Sequence, residues 1–132
     1  MLFEKTRAAF SPIVLPLTEV GANATHNGAE IDFDAKNQMV ETNEVLEVYL
    51  TEQATSAGTP TLQVIVETKD PEGAYRQVAT GEVFALADLV KGAVVYKAAL
   101  PDGCGQIVRA SLKNATADTF TGGSVAGVVR PL

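Results

Sequence analysis

The sequence predicts an all-β protein built as an antiparallel β-sandwich or a closed barrel. Apolar and polar residues alternate with a period of two through five separate runs, which is typical of half-buried strands. Spacers rich in Gly, Pro, Asn and Asp, such as "KDPEG" and "LPDGCG", separate these runs. Full helices between the strands, which a parallel α/β sheet requires, are missing from the pattern.

The alternation assigns one face of each run to a core. The predicted core residues are Ile31, Phe33 and Ala35; Leu46, Val48 and Leu50; Leu62, Val64 and Val66; Val94, Tyr96, Ala98 and Leu100; and Val108, Ala110 and Leu112. The opposite faces are mostly polar, but Val45, Tyr49 and Ile65 also lie there. These three side chains are predicted either to bind a partner subunit or to belong to the second face of a sandwich core, and both alternatives remain open.

Two further segments predict local features. In residues 82–92, "EVFALADLVKG", apolar residues fall at helical spacing and Gly92 follows as a stop, so one or two helical turns are expected at an open end of the sheets. In "FTGGSVAG", Gly122 and Gly123 lead into a β-pattern and predict a bulge or a close backbone approach in the last strand.

The first 20 residues differ from the rest of the chain because they are mostly apolar and are broken by prolines. They contain Phe3, Phe10, Ile13 and Leu15, which are candidate partner-binding residues. The segment is either an edge strand of its own domain or an arm that lies on a neighbouring subunit. We divide the chain into a predicted arm, residues 1–20, and a single β-sandwich domain, residues 21–132.

Charge and composition exclude several classes of partner. Sixteen acidic and ten basic residues give a net charge of −6, and no basic run is present, so neither nucleic acid nor an anionic membrane is an expected partner. No apolar run approaches the ~20 residues of a membrane span. The N-terminus does not have the pattern of a signal peptide, and we expect the chain to be made in a cytoplasm.

Few residues of the sequence are candidates for catalysis or metal binding. His26 is the single histidine, which excludes the usual zinc sites, and Cys104 is the single cysteine, which excludes an intrachain disulfide. A catalytic thiolate would require the fold to bring these two residues together. Asp32 and Asp34 are predicted to lie on a solvated face rather than to bind calcium. We therefore expect no enzymatic activity, no metal and no cofactor.

The second half of the chain resembles the capsid cement, or decoration, proteins of tailed bacteriophages, in particular the jelly-roll group typified by a Bordetella phage. The resemblance rests on "LPDG" at residues 100–103, on Arg109 in the middle of the following strand, and on the closing strand from Thr121 to Val129. The preceding "ADLVKGA" is similar to a loop-and-turn segment of that group.

This resemblance implies a jelly-roll protein that assembles, commonly as a homotrimer, on the exterior of the virion capsid. There it would bridge subunits of the major capsid protein after synthesis in the host bacterial cytoplasm. Two alternatives remain open at this point: another virion structural domain, such as a head fibre, tail or baseplate component, and a β-sandwich module that binds a small ligand.

Overall fold

A computed structural model describes residues 7–33, 44–101 and 103–131 of the chain. These residues form eleven strands in two antiparallel sheets that pack face to face. The predicted all-β sandwich is confirmed. The predicted core residue Ala35 and the acidic residue Asp34 lie outside the described residues.

Sheet 1 carries the two longest strands. Its members are β1 (Arg7–Ala8), β2 (Val14–Pro16), β5 (Glu44–Thr55), β9 (Val94–Ala99) and β11 (Gly122–Pro131). The strand order is β1-β11-β5-β9, and β2 also pairs with β11. The last strand therefore lies between the first strands of the chain and β5.

Sheet 2 contains the remaining strands. They are β3 (Ala24–Asn27), β4 (Ile31–Asp32), β6 (Thr61–Lys69), β7 (Arg76–Thr80), β8 (Phe84–Ala85) and β10 (Ile107–Asn114). The order is β3-β10-β6-β7, with β4 also on β10 and β8 also on β6. β10 and β6 thus form the centre of this sheet.

The topology is that of a jelly roll. If β1 and β2, β3 and β4, and β7 and β8 are each taken as one interrupted strand, each sheet has four positions. The chain then visits the sheets in the order 1, 2, 1, 2, 2, 1, 2, 1. Eight strand positions in two sheets with these crossings are the jelly-roll arrangement.

The core lies between the sheets and is built from the alternating residues. Leu46, Val48 and Leu50 of β5 face inwards, and all three are buried. β6 and β10 contribute the predicted residues from the other sheet, which are Leu62, Val64, Val66, Val108, Ala110 and Leu112. The period-two prediction is confirmed for these three strands, because a slip of one residue would have exposed all of these side chains.

Residues 7–20 belong to the sandwich, which corrects the prediction of a separate arm for this part of the chain. Arg7–Ala8 and Val14–Pro16 pair with β11, so the segment is extended but forms an edge of its own domain. Phe10, Leu15 and Leu17 are buried in the core. Phe3 lies outside the described residues.

Gly127 provides the space for this N-terminal segment. A Cβ atom on Gly127 would lie 2.8 Å from Cε2 of Phe10 and 3.1 Å from Cβ of Ala9. The absence of a side chain on β11 therefore lets the Phe10 ring lie against the strand.

In β9 the predicted face is partly wrong. Tyr96 and Leu100 pack against the core as expected, whereas Ala98 faces the same way, opposite Leu46, but is exposed at the edge of the sheet. Val94 is 44% exposed and Val95 is buried. The reason is a bulge: Val48 lies opposite Tyr96, whereas Tyr49 lies opposite Val94, so Val95 is an extra residue that reverses the alternation.

The helical prediction for residues 82–92 is confirmed only as a short turn. Leu86–Asp88 form one 3₁₀ turn after β8, and Gly92 follows with φ of +87°. The buried side chain is Leu89, while Val83 and Val90 are exposed, so the predicted helical stripe is wrong. The turn is too short for helical spacing to select a buried face.

The two glycines of the last strand do make the predicted bulge. The register of β11 against β5 shifts on both sides of Ser124, and Gly123 has φ of +103°. A Cβ atom on Gly123 would lie 2.6 Å from Cα of Ala54, so the backbones of the two strands approach closely there.

Phe10 and Ile13 give a matched test of the N-terminal segment. Phe10→Ala should lower the free energy of unfolding by about 3–5 kcal/mol, because it leaves a large cavity in the core. Ile13 is 66% exposed, and Ile13→Ala should change the same quantity by less than about 0.5 kcal/mol. Urea unfolding followed by circular dichroism measures both values. Equally small effects would mean that the segment does not stabilise the domain.

Candidate interaction surface

An apolar row crosses the outer face of sheet 1. Val14 of β2 lies opposite Ala126 of β11, Ala126 lies opposite Tyr49 of β5, and Tyr49 lies opposite Val94 of β9. Because the neighbouring residues Leu15, Leu50 and Val125 fill the core, these four side chains point away from it. We call Val14, Ala126, Tyr49 and Val94 the apolar row.

Both ends of the apolar row are exposed to solvent. Val14 is 49% exposed and Val94 is 44% exposed, whereas Tyr49 is half-buried and Ala126 is buried between its neighbours. Ile13 precedes Val14, and Val90 lies in the turn that pairs with the end of β5. Four of the five large apolar side chains that are exposed among the described residues are therefore at the edges of sheet 1.

Polar groups border the apolar row. On one side, Nη2 of Arg130 donates a hydrogen bond to Oε1 of Glu47 at 2.9 Å. On the other side, the hydroxyl groups of Thr51 and Ser124 hydrogen-bond to each other. An apolar centre with a polar rim is the usual anatomy of a protein interface.

The outer face of sheet 2 is polar instead. Nε of Arg109 donates to Oε1 of Glu67 at 2.8 Å, and Oγ of Ser111 donates to the same oxygen at 3.2 Å. The Arg109 guanidinium lies 3.7 Å from the centre of the Tyr75 ring. These charged groups already have partners within the chain. Contact with another molecule is therefore not needed to pair their charges.

Tyr75, in the loop before β7, contacts both the loop before β4 and the outer face of sheet 2. Its hydroxyl donates a hydrogen bond of 2.6 Å to Oε2 of Glu30, and Nζ of Lys69 lies 5.0 Å from its ring centre. Burial of the phenol, the hydrogen bond to Glu30 and the charge of that carboxylate raise the pKa of Tyr75 to about 12.

The structure separates the predicted partner-binding residues. Phe10 and Leu15 lie in the core of their own domain and are not available to a partner. Ile13 and Tyr49 are at the surface of sheet 1, at and beside the apolar row. Val45 lies on the same outer face but is buried, beside Arg130 and Ala99.

Ile65 does not join this surface. It lies on the outer face of sheet 2, opposite Ser111 and Thr80, where it is half-buried. Val14, Ala126 and Val94 were missed by the sequence analysis, because their position beside Tyr49 depends on strand register and on the bulge in β9.

His26 and Cys104 do not form a catalytic pair. His26 lies opposite Leu112, near the far end of β10, whereas Cys104 precedes the start of that strand at Ile107. The five residue-to-residue steps from Ile107 to Leu112 alone span about 17 Å. In the part of the chain that the structure describes, no group of three His, Cys, Asp or Glu side chains is placed to hold a metal ion.

A shallow groove of about 670 Å³ opens between the end of β5, the start of β6 and the 3₁₀ turn. Its lining residues are Gln53, Ala54, Thr55, Ser56, Thr59, Thr61, Ala85, Leu86 and Ala87. The lining contains neither an aromatic nor a charged side chain. The groove therefore lacks the aromatic walls that are typical of a small-ligand pocket.

The fold and the apolar row define a jelly-roll protein with a surface, not a cleft, as its candidate site. The chain belongs to the Bbp16 family, a family of Bordetella phage proteins, which it matches over residues 18–129. It is therefore a phage-related protein. No curated protein and no solved structure matches the chain. None of the helices in residues 7–33, 44–101 and 103–131 is long and apolar enough to cross a membrane.

The raised pKa of Tyr75 predicts a pH dependence of stability. The folded pKa of about 12 exceeds the ordinary value of 10.0, so the neutral phenol favours the folded state. This contribution is complete below pH 10 and is lost as the pH rises towards about 12. Ultraviolet titration of phenolate absorbance should show a late step that Tyr75→Phe removes and Glu30→Gln moves to lower pH. A Tyr75 step at the ordinary value would contradict the contact with Glu30.

Proposed function

We propose that this protein is a capsid cement, or decoration, protein that binds the outside of the phage capsid and bridges subunits of the major capsid protein. The observation that carries the proposal is the difference between the two outer faces. Sheet 1 exposes both ends of the apolar row to solvent, whereas Arg109 and Glu67 on the outer face of sheet 2 are paired within the chain. The protein would thus bind through sheet 1 and leave sheet 2 towards solvent on the virion.

Burial of the apolar row would supply the binding energy. Full burial of a fully exposed valine side chain contributes about 1.5–3 kcal/mol. Val14 and Val94 at the ends of the row are about half exposed, so each would contribute roughly half of that. The aromatic ring of Tyr49 adds a large contact area with a polar group at its tip.

The size of this face favours binding to an assembled shell. Four strands spaced ~4.8 Å apart and about eight residues long give a face of roughly 500 Å². A stable pairwise interface usually buries about 800 Å² on each partner. One such contact is weak, but contacts with several neighbouring subunits reinforce each other through effective concentration.

Such binding stabilises the shell without any reaction. A protein that binds the intact capsid but not its separated subunits shifts the equilibrium towards the intact capsid. Family membership in a phage protein group supports a structural role. The homotrimer that the resemblance implies is part of this proposal.

Sedimentation with purified capsids that lack the protein tests the proposal. Saturable pelleting at a fixed ratio to the major capsid protein, quantified by mass spectrometry, is the expected result. Isolated capsid subunits should bind the protein much more weakly than the shell does. Folded protein that stays in the supernatant with capsids whose sites are vacant would rule the proposal out.

Three valines allow a matched test of the apolar row. Val14→Glu and Val94→Glu each place a charge where the capsid contact would bury it, so each should weaken capsid binding at least about tenfold. Val83 is 60% exposed, lies outside sheet 1 and serves as the control, and Val83→Glu should bind as the natural protein does. A loss that is equal in all three variants would show that added negative charge, not the row, determines binding.

A further inference from the structure

On one side of the apolar row, the outer face of sheet 1 carries three charged side chains among the residues that the structure describes. They are Glu47 of β5, Lys97 of β9 and Arg130 of β11, and we call them the charged flank. Glu47 lies opposite Lys97 on one side and opposite Val128 on the other. Arg130 follows two residues after Val128, so it shares their face. The charged flank therefore has one more positive than negative charge, although the whole chain has a net charge of −6.

The one carboxylate of the charged flank already has a partner. Nη2 of Arg130 donates to Oε1 of Glu47 at 2.9 Å, and the side chains of Arg130 and Glu47 are 36% and 20% exposed. This pair is therefore partly shielded from water before any partner binds. It can enter an interface without leaving either charge uncompensated.

Lys97 is the charge that remains. It is exposed, and it forms no ion pair with any residue that the structure describes. The two residues that follow it in β9, Ala98 and Ala99, offer no polar side-chain group to its ammonium. By contrast, Lys69 on sheet 2 lies 3.9 Å from Oε2 of Glu30. Lys97 thus depends on water for its solvation, and a partner that covers this face has to replace that water.

We propose that the capsid subunit that meets sheet 1 presents a carboxylate to Lys97, beside the apolar patch that covers the row. This inference rests on the proposed function, in which the outer face of sheet 1 is buried. A cation that loses its water without gaining an opposite charge weakens binding, whereas a carboxylate about 4 Å away compensates for the lost solvation. The partner surface is therefore apolar at its centre and acidic on one side.

The same contact would fix the orientation of the partner. Beyond the other side of the apolar row, Glu52 lies opposite Ser124 and is exposed. A partner turned around on this face would bring its carboxylate towards Glu52 instead of Lys97, and like charges repel each other. The apolar row would thus supply affinity, and the contact with Lys97 would select one orientation.

Two lysines allow a matched test in the capsid pelleting assay. Lys97→Gln and Lys113→Gln each remove one positive charge from an exposed strand residue, but Lys113 lies on the outer face of sheet 2. Both variants have the same net charge, so long-range forces between protein and capsid change equally. At about 0.05 M salt, Lys97→Gln should bind about tenfold more weakly than Lys113→Gln. The difference should shrink towards about 0.5 M salt, because the lost contact is electrostatic.

The other outcomes of this comparison are distinct. Tighter binding by Lys97→Gln would overturn the inference, since it would show that Lys97 loses water without gaining an opposite charge. Equal affinities at every salt concentration would also overturn it, because they would place Lys97 outside the contact. If neither the natural protein nor any variant pellets with vacant capsids, the proposed function itself fails and this inference fails with it.

A water-soluble carbodiimide gives a second, independent measurement on the capsid-bound natural protein. The reagent activates a carboxyl group, and a lysine amine in contact then attacks the activated carbon, forms an amide and releases the reagent as a urea. Mass spectrometry should identify Lys97 joined to an aspartate or glutamate of the major capsid protein, while Lys113 remains unlinked. A link from Lys113 instead, or no link from Lys97 in protein that pellets saturably, would overturn the inference.

Discussion

The architecture depends on the pairing of β11 with strands on both of its sides. β5 pairs with it from Gly122 to Pro131, and the N-terminal strands pair with its other edge. This register directs Val125, Gly127 and Val129 into the core, where Gly127 leaves room for Phe10. It also places Ala126 on the outside, level with Tyr49. The closing of the core and the formation of the apolar row therefore follow from one strand register.

The two faces of sheet 1 thus have different uses. The inner face stabilises the domain through buried aliphatic side chains, and the outer face carries the apolar row, whose ends no described part of the chain covers. On sheet 2 the ion pair of Arg109 with Glu67 and the contact with Tyr75 satisfy the charges internally. An asymmetry of this kind is what a protein needs if it binds one large surface and faces solvent on the other side. Family membership identifies the chain as a phage-related protein.

The alternation predicted β5, β6 and β10 and their core residues, because long strands with one buried face impose a period of two on the sequence. β7, with the sequence "RQVAT", carries no such pattern, since an exposed edge strand does not need one. In β9 a bulge at Val95 reversed the alternation, and no local signal marks it. Tyr49 was predicted as a partner-binding residue, but its neighbours Val14 and Ala126 come from distant segments. Cross-strand register, which brings them together, depends on tertiary packing that sequence periodicity does not encode.

The central claim is that the outer face of sheet 1 is the surface that meets the capsid. Hydroxyl-radical footprinting of the protein, free and bound to capsids, tests it directly by reporting the solvent access of individual side chains. The account predicts that Val14, Tyr49 and Val94 become protected on binding, while Tyr75, which lies over Arg109 on the outer face of sheet 2, reacts as before. Protection of Tyr75 with unchanged reactivity of Tyr49 would contradict it and would assign capsid binding to sheet 2.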